Sequence, residues 1–439
     1  VVAAAMIEAV CAAGPSLAAL GGSGGEGRAA LAAAVEVKDG SVALARCIRD
    51  GAFLTMHAVR RDASGEGSGR VETVESQKVA AGSESVTALT WFSIAGQEHL
   101  SASREHLLCV GFSHGGVSVF THRGTVCLSF LIQKSSILRI RAHSSTHSDH
   151  HHSLLFLHED GVVAIVDVES LRSVIFGGSG AAAAGLRFRV YEVRGRARIK
   201  DACWIDKVQP LEDVFSAEAR SGVVVLGHEA PFLSLHVRTD DFRGRSIIGS
   251  AASAVTSLAK SLNPFRRSGP ETPAPARLHF RPAGMLAPGD LQLPAQGSPE
   301  ELPVAAKFID PMRSGAAVEP APRRHPLTTT AVAATCDAFG RVCLFCIETL
   351  RCLHIWKGYR DAQVAWLHPC GDDIVEMCLV IYAPRRGLLE LWDIAGVGGP
   401  RRADAAAVDM DGRLLGTSGQ VYLLRHSGRF DRVRFRPRA

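Results

Sequence analysis

The sequence predicts a mainly β chain built as a β-propeller of about seven blades, and three observations predict it. The first is a recurring unit: an apolar strand runs into a polar turn ending in Gly, and a second apolar strand leaves it. "LLCVGFSHGGVSVF" and "CLVIYAPRRGLLELWD" are two examples. Gly supplies the positive φ of such turns, and Asp or Asn tolerates it. The second is spacing. Gly116 lies 45 residues before Gly161, and Gly340 lies 47 before Gly387, whereas a four-stranded blade takes roughly 40–50 residues. The third is composition: the runs are rich in Val, Leu, Ile and Phe and too short for helices. A pair of β-sandwiches is the structural alternative, but sandwiches do not repeat hairpins at a blade-like period.

Taken in order, residues 1–40 form an Ala/Gly-rich segment that reads as poorly defined. It starts without Met and without a basic stretch, which is poor evidence for a signal peptide; the chain is expected to be a fragment or to have an ill-defined start. Residues 41–240 hold the first part of the propeller, with turns at Asp50–Gly51, His114–Gly116 and Glu159–Gly161. Residues 241–330 change character. Ile247, Ala251, Val255, Leu258 and Leu262 share one face of a helix over Ser246–Leu262, whose polar face is small and Ser-rich. This amphipathic helix is expected to cross a propeller edge. An interfacial membrane helix is the sharper alternative, because "NPFRRS" follows with basic charge. From Pro264 to Pro326 the chain carries 13 of its 20 prolines. Missing amide donors disfavour a regular sheet, so this reads as a long, partly disordered insertion. Residues 331–439 hold the second part of the propeller, with turns at Asp337–Gly340, Arg385–Gly387 and Asp411–Gly412.

Composition sets the bounds. An apolar fraction of 46% over 439 residues is ample for a core. A net charge of +5 is too weak for a sequence-independent nucleic-acid stripe, and no nucleic-acid partner is expected. No apolar run reaches the roughly 18 residues of a membrane span. Several of the 11 Cys sit in apolar runs and read as small buried hydrophobes in a reducing compartment. Cys343 and Cys346 have the C-x-x-C spacing, but on a strand they point to opposite faces.

Little in the chain points to catalysis. "HSSTHSDHHH" (His143–His152) holds five His and one Asp, but a Ser-rich loop lacks the second shell that orients imidazoles, so it reads as solvated. "GGSGGEG" (Gly21–Gly27) has no strand leading in and no Lys-Ser/Thr ending it, which makes it a very weak phosphate cradle. H-E-x-x-H is missing too. "LWD" (Leu391–Asp393) matches the dipeptide that closes a WD-repeat strand. The other blades lack it, so the repeats are WD-like and degenerate.

Propeller rims bind through a few aromatic and Arg anchors. On that ground Lys357, Tyr359, Arg360, Asp361, Arg385 and Arg386 are the expected partner-binding residues. Trp356, Gly358, Gly340, Gly387, Trp392 and Asp393 are expected to be structural, with both tryptophans packed between blades and Asp361 capping a turn or pairing with an Arg.

"DAFGRVCLFCIETLRCLHIWKGYRDAQVAWLH" (Asp337–His368), followed by "LVIYAPRRGLLELW" (Leu379–Trp392), resembles the non-catalytic (regulatory) subunit of the Rab-three GTPase-activating protein complex. The segments around "VGFSHGG" and "ARLHFR" (Ala276–Arg281) are similar to the same family. The resemblance runs from about Ser85 to Phe435. It implies an adaptor that is not itself an enzyme; from the motifs, no cofactor or metal is expected. It implies a heterodimer with a catalytic subunit, which supplies the arginine for phosphoryl transfer, and action on membrane-bound Rab GTPases. A nucleotide-exchange role toward another Rab is also implied, as is a long helical region beyond the propeller. The expected location is the cytoplasm, with peripheral endomembrane contact through residues 246–262 as an option. The alternative function is a generic propeller adaptor of another trafficking or coat assembly.

Overall fold

The computed structural model describes residues 7–11, 32–36, 42–48, 53–60, 70–78, 84–95, 104–144, 151–176, 186–193, 199–208, 220–227, 232–238, 300–302, 304–309, 315–321, 332–367, 378–394, 399–417, 420–425 and 430–433. Their strands form seven sheets of four or five strands. Blade 1 consists of Ala32–Glu36, Val42–Ile48, Phe53–Arg60 and Arg70–Lys78. Blade 2 consists of Val86–Ala95, Arg104–Phe112, Gly116–Thr121 and Val126–Leu131. Blade 3 has Ile137–Ser144, His151–His158, Val162–Asp167 and Phe188–Glu192, with Glu300–Glu301 added in parallel. Blade 4 has Ile199–Val208, Arg220–Gly227, Leu233–Arg238 and Val304–Phe308. Blade 5 has Gly315–Pro320, Val332–Asp337, Arg341–Cys346 and Cys352–Lys357. Blade 6 has Gln363–Leu367, Cys378–Ala383, Leu388–Asp393 and Arg401–Ala407. Blade 7 has Arg413–Thr417, Gln420–Leu424 and Phe430–Val433, and its outer strand is Ile7–Cys11.

The first strand of each blade touches the first strands of both neighbours, so seven inner strands close a ring around a central channel. The architecture is a seven-bladed propeller. Ile7–Cys11 pairs antiparallel with Phe430–Val433, and the two ends of the described chain therefore share one sheet.

Alternating side chains explain why the blades stack. Along a strand, successive side chains leave opposite faces. In blade 5, Leu344 and Val342 pack toward blade 6, while Cys343 and Phe345 pack toward blade 4. The same division gives seven apolar clusters, each joining one pair of neighbouring blades. A fully buried side chain such as Phe345 stabilises the fold by about 1.5–3 kcal/mol.

Neighbouring strands run antiparallel. Each turn from second to third strand therefore lies at the same end of the ring as each link from an outer strand to the next inner strand. We call this end the connection face. Three glycines with positive φ join turn to link there. The carbonyl of Gly161 accepts the amide of Val193 at 3.5 Å, that of Gly340 accepts Tyr359 at 2.8 Å, and that of Gly387 accepts Val408 at 2.8 Å.

Charged groups tie the inner strands of blades 3, 4 and 5. Arg141 donates from Nη2 to Asp201 Oδ2 at 2.6 Å, from Nε to Oδ1 at 3.3 Å, and from Nη1 to Glu319 Oε2 at 2.7 Å. Its Nη2 also reaches the Val318 carbonyl at 2.6 Å. Asp201 in turn accepts the amides of Ala202 and Val318. A side chain of Asp201 that is 1% exposed is thus both paired and hydrogen-bonded, which is what a buried carboxylate requires.

The structure departs from the sequence reading at five places. His143 and Ser144 end strand Ile137–Ser144, and His151 and His152 begin strand His151–His158, so the ends of the His-rich segment are sheet and not loop; residues 145–150 lie outside the described residues. Strands Ile7–Cys11 and Ala32–Glu36 fall in the segment 1–40 that composition leaves undefined; β-pairing there follows from partners elsewhere in the chain, not from local propensity. Strands Val304–Phe308 and Gly315–Pro320 fall within 241–330. They are short, nearly Pro-free runs, and Pro320 sits at the end of an inner strand that pairs on one side only. The Asp411–Gly412 turn links the outer strand of blade 6 to the inner strand of blade 7 and is not a hairpin. Finally, the chain has a helix that the sequence reading missed, α1 (Val168–Phe176), between the third and outer strands of blade 3. Asp167 caps it by accepting the Ser170 amide at 3.1 Å, and Val168 and Leu171 bury against blades 2 and 3. The Ser246–Leu262 helix and most of the Pro-rich stretch lie outside the described residues.

Two glycines provide a test. Gly340 and Gly358 have φ of 81° and 85°. A Cβ on Gly340 would meet the Arg360 amide nitrogen at 2.8 Å, whereas one on Gly358 would meet nothing within 4 Å. Gly358→Ala should cost about 1 kcal/mol, the left-handed backbone penalty alone. Gly340→Ala should cost a further 1–3 kcal/mol or so from overpacking. Urea midpoints of the two variants measure the difference. Arg141→Ala, which strands Asp201 in the interior, should cost about 3 kcal/mol by the same assay.

Candidate interaction face

The site is built from four adjoining segments of the connection face. These are the blade 5 turn at Asp337–Arg341, the blade 5-to-6 link at Lys357–Ala362, the blade 6 turn at Pro384–Gly387, and the blade 6-to-7 link at Val408–Gly412.

Asp337 shapes the first segment. Its Oδ1 accepts the amides of Phe339 at 3.0 Å and Arg341 at 2.8 Å, and its Oδ2 accepts Arg341 Nε at 2.6 Å. That geometry turns Phe339 outward, 60% exposed, with the Arg341 guanidinium 5.6 Å from its ring centre. "DxFGRV" is thus an Asx-type turn with an ion pair folded back on it.

The second segment is fixed from beneath. Tyr359 is 6% exposed and donates its hydroxyl to Glu390 Oε2. Glu390 is 1% exposed and also accepts Trp392 Nε1 at 3.2 Å and Arg402 Nη1 at 3.3 Å. A buried carboxylate with three donors anchors the link from blade 5 to the third and outer strands of blade 6. Burial, and then the hydrogen bond to Glu390, push the Tyr359 phenol up to about 12, while Arg386 pulls the other way.

The six expected partner-binding residues therefore separate. Lys357 and Arg360 are exposed. Tyr359 is not a surface group: its ring is part of the core between blades 5 and 6, and its exposed neighbour is Arg386, whose guanidinium lies 5.2 Å from the ring centre. Asp361 and Arg385 pair with each other at 2.5 Å, both more than half exposed, an arrangement worth no more than about 1 kcal/mol. Asp361 also takes a φ of 58° in the link.

Among the expected structural residues, Trp356 and Trp392 pack edge-to-face across the blade 5–6 interface with ring centres 5.3 Å apart, and His354 lies 4.5 Å from Trp356. Trp356 Nε1 meets no acceptor among the described residues, so its part is ring packing. Gly340 and Gly387 hold turns against links. A Cβ on Gly387 would lie 2.8 Å from the Val408 carbonyl oxygen. Gly358 turns the chain in open space. Asp393 ends its strand opposite Arg401.

Sequence reasoning missed Glu390, Phe339 and Met410. A carboxylate inside the apolar run "LLELW" was the available signal for Glu390. Met410, 59% exposed, stands beside Gly387, and nothing local marks it. Phe339 and Met410 thus flank the cationic groups Arg360, Arg385 and Arg386. Elsewhere, Cys343 and Cys346 are both buried, and among the described residues no group of three or more His, Cys, Asp or Glu could hold a metal.

A family model described as "Rab3 GTPase-activating protein regulatory subunit N-terminus" matches residues 34–415. The chain belongs to this family. The match begins within the first strand of blade 1 and ends within the inner strand of blade 7. The "Rab3 GTPase-activating protein regulatory subunit" of Caenorhabditis elegans is 43% identical over 63 residues, which are 14% of this chain and 5% of that relative. Two solved structures are similar at 9% identity. The C-terminal WD40 domain of Sif2 has a TM-score of 0.44, covering 94% of this chain and 98% of that one. BBS1N, solved in complex with ARL6DN, has a TM-score of 0.49, covering 95% and 94%.

Tyr359→Phe should lower stability by about 1.5–3 kcal/mol, the range for a hydrogen bond to a charged group. The phenol's stabilisation is complete below its unfolded pKa near 10 and is lost as pH rises through about 12. The gap between parent and variant in urea titrations should therefore narrow across that window. Arg360→Glu should change the midpoint by less than about 0.5 kcal/mol.

Proposed function

We propose that the chain is the propeller of a non-catalytic scaffold subunit in a Rab GTPase-activating complex, and that the connection face of blades 5 to 7 binds the catalytic subunit. One observation carries the reading. Phe339 and Met410, two large apolar side chains about 60% exposed, stand among Arg360, Arg385 and Arg386 on a frame locked from below by Glu390. Exposed aromatic and Arg anchors on a rigid base are what strong interfaces use, because little side-chain or backbone order is lost on binding. The cationic rim favours a partner surface that is apolar at its centre and acidic around it. An apolar stripe of Leu353 and Ile355 on the outer strand of blade 5, 49% and 37% exposed, leads up to Lys357 and extends the face.

The GTPase chemistry then belongs to the partner, and the propeller's part is to place that partner against a Rab on a membrane. A nucleotide-exchange role toward a Rab, and peripheral membrane contact through residues 246–262, extend the same reading. No helix of the described residues is long and apolar enough to cross a membrane.

Co-purification of the full-length protein with the family's catalytic subunit tests the proposal. The parent should recover the catalytic subunit. Phe339→Ser combined with Arg360→Glu and Arg386→Glu should reduce recovery at least tenfold while the urea midpoint stays within about 1 kcal/mol of the parent. Parent-level recovery by that variant would remove the face from the interface. Failure of the parent itself to recover the subunit would favour the generic adaptor.

A further inference from the structure

We propose that the outer seam between blades 4 and 5 docks an extended acidic segment of a partner protein, with an apolar side chain entering between the blades. The chain itself shows at the preceding seam how such a segment is held. Glu300–Glu301 adds in parallel to the outer strand of blade 3, and Leu302 follows it into the cluster shared by blades 3 and 4, where it is 1% exposed. Both blades grip that leucine by its backbone. Its amide donates to the Glu192 carbonyl at 3.2 Å, and its carbonyl accepts His236 Nδ1 at 3.2 Å. Lys307 lies opposite Ser234, so it leaves blade 4 on the blade 3 side, as His236 does. Burial lowers the His236 pKa, and the nearby Lys307 charge adds to the effect. A Glu-Glu-Leu run thus fills a seam that has a lysine beside it.

The next seam repeats these parts, and among the described residues no segment fills it. Val304–Phe308, the outer strand of blade 4, pairs there only with Leu233–Arg238, so its other edge offers backbone groups outward. Phe308, its ring centre 5.1 Å from that of Phe345, and Cys352, which pairs with Phe345, are half-buried on the cluster shared by blades 4 and 5. Next to Cys352, Leu353 is left unopposed where the register shifts and is 49% exposed. Ile355 lies opposite Cys343, a member of that cluster, so it leaves on the blade 4 side, 37% exposed. Lys357, two residues on, leaves on the same side, as Lys307 does one blade earlier. Arg351 is exposed at the other end of the strip, and neither cation makes an ion pair among the described residues. Cations at both ends of an apolar strip select an acidic segment with an apolar side chain. Main-chain pairing at a strand edge supplies affinity to such segments, and the side-chain pocket supplies specificity. This deepens the role given above to Leu353 and Ile355, and rests on it only for which protein supplies the segment.

The probe is a fluorescein-labelled peptide copying residues 297–303, Gly-Ser-Pro-Glu-Glu-Leu-Pro, and its polarisation should rise saturably with the full chain. Leu353→Ser, Ile355→Ser and Lys357→Glu should each weaken binding about fivefold or more. Their urea midpoints should stay close to the parent's, because all three side chains are exposed. Arg123→Glu, in an exposed turn of blade 2, should bind as the parent does, and a peptide with lysine in place of both glutamates should not bind. Phe339→Ser should also keep the peptide, so this seam and the catalytic-subunit face can fail separately. A parent that recovers the catalytic subunit but never saturates with the peptide would remove the seam alone. Unchanged affinity in all three seam variants would place the peptide elsewhere and overturn the proposal. So would self-association of the chain in sedimentation that Ile355→Ser abolishes, since the occupant would then be a second copy.

Discussion

Every blade of this chain is apolar on both faces, and that constraint governs the rest. A sheet with one wet face can stand at the surface of a domain. A sheet such as Val332–Cys346, whose side chains feed one cluster shared with blade 4 and another shared with blade 6, needs a neighbour on each side. Seven such sheets meet the need only by closing on themselves. The closing strand Ile7–Cys11 is part of that solution, since it completes the sheet that seals blade 7 to blade 1. The functional consequence is a closed ring that carries the exposed groups of the candidate face on its turns and links, with Glu390 as a buried polar anchor beneath them.

Much of this was legible in the sequence because its signals are local. A turn glycine with an apolar run on either side announces a hairpin, and Gly116, Gly161, Gly340 and Gly387 do so at or beside turns of the expected kind. Asp411–Gly412 carries the same letters but joins two blades, since a link and a hairpin ask the same of the backbone. The Ala-rich strand Ala32–Glu36 has little β-propensity, and its pairing with Val42–Ile48 is decided by what both cover. Composition averaged over 241–330 likewise hid the short strands that complete blade 4 and open blade 5.

The candidate face shows the same limit at the level of single residues. Tyr359 reads as an exposed anchor among charges, and only the fold brings Glu390, 31 residues away, under its hydroxyl. Phe339, in a turn that looks polar, faces solvent because Asp337 takes up both neighbouring amides. Arg141 and Glu319 are 178 residues apart, and no spacing rule connects them. Local pattern identifies where a surface lies; long-range partners decide which of its side chains are available.

The shared sheet of blade 7 has a consequence in time as well as in space. Ile7–Cys11 is synthesised long before Phe430–Val433, the strand it pairs with. Until that partner is made, the early strand has no sheet to join and blade 1 has an uncovered flank. Non-local closure of this kind is slow, and exposed strand edges invite pairing with other chains. During synthesis the nascent chain therefore passes through an open crescent with two bare ends, and cellular factors that shield strand edges would act on it then, before the ring exists.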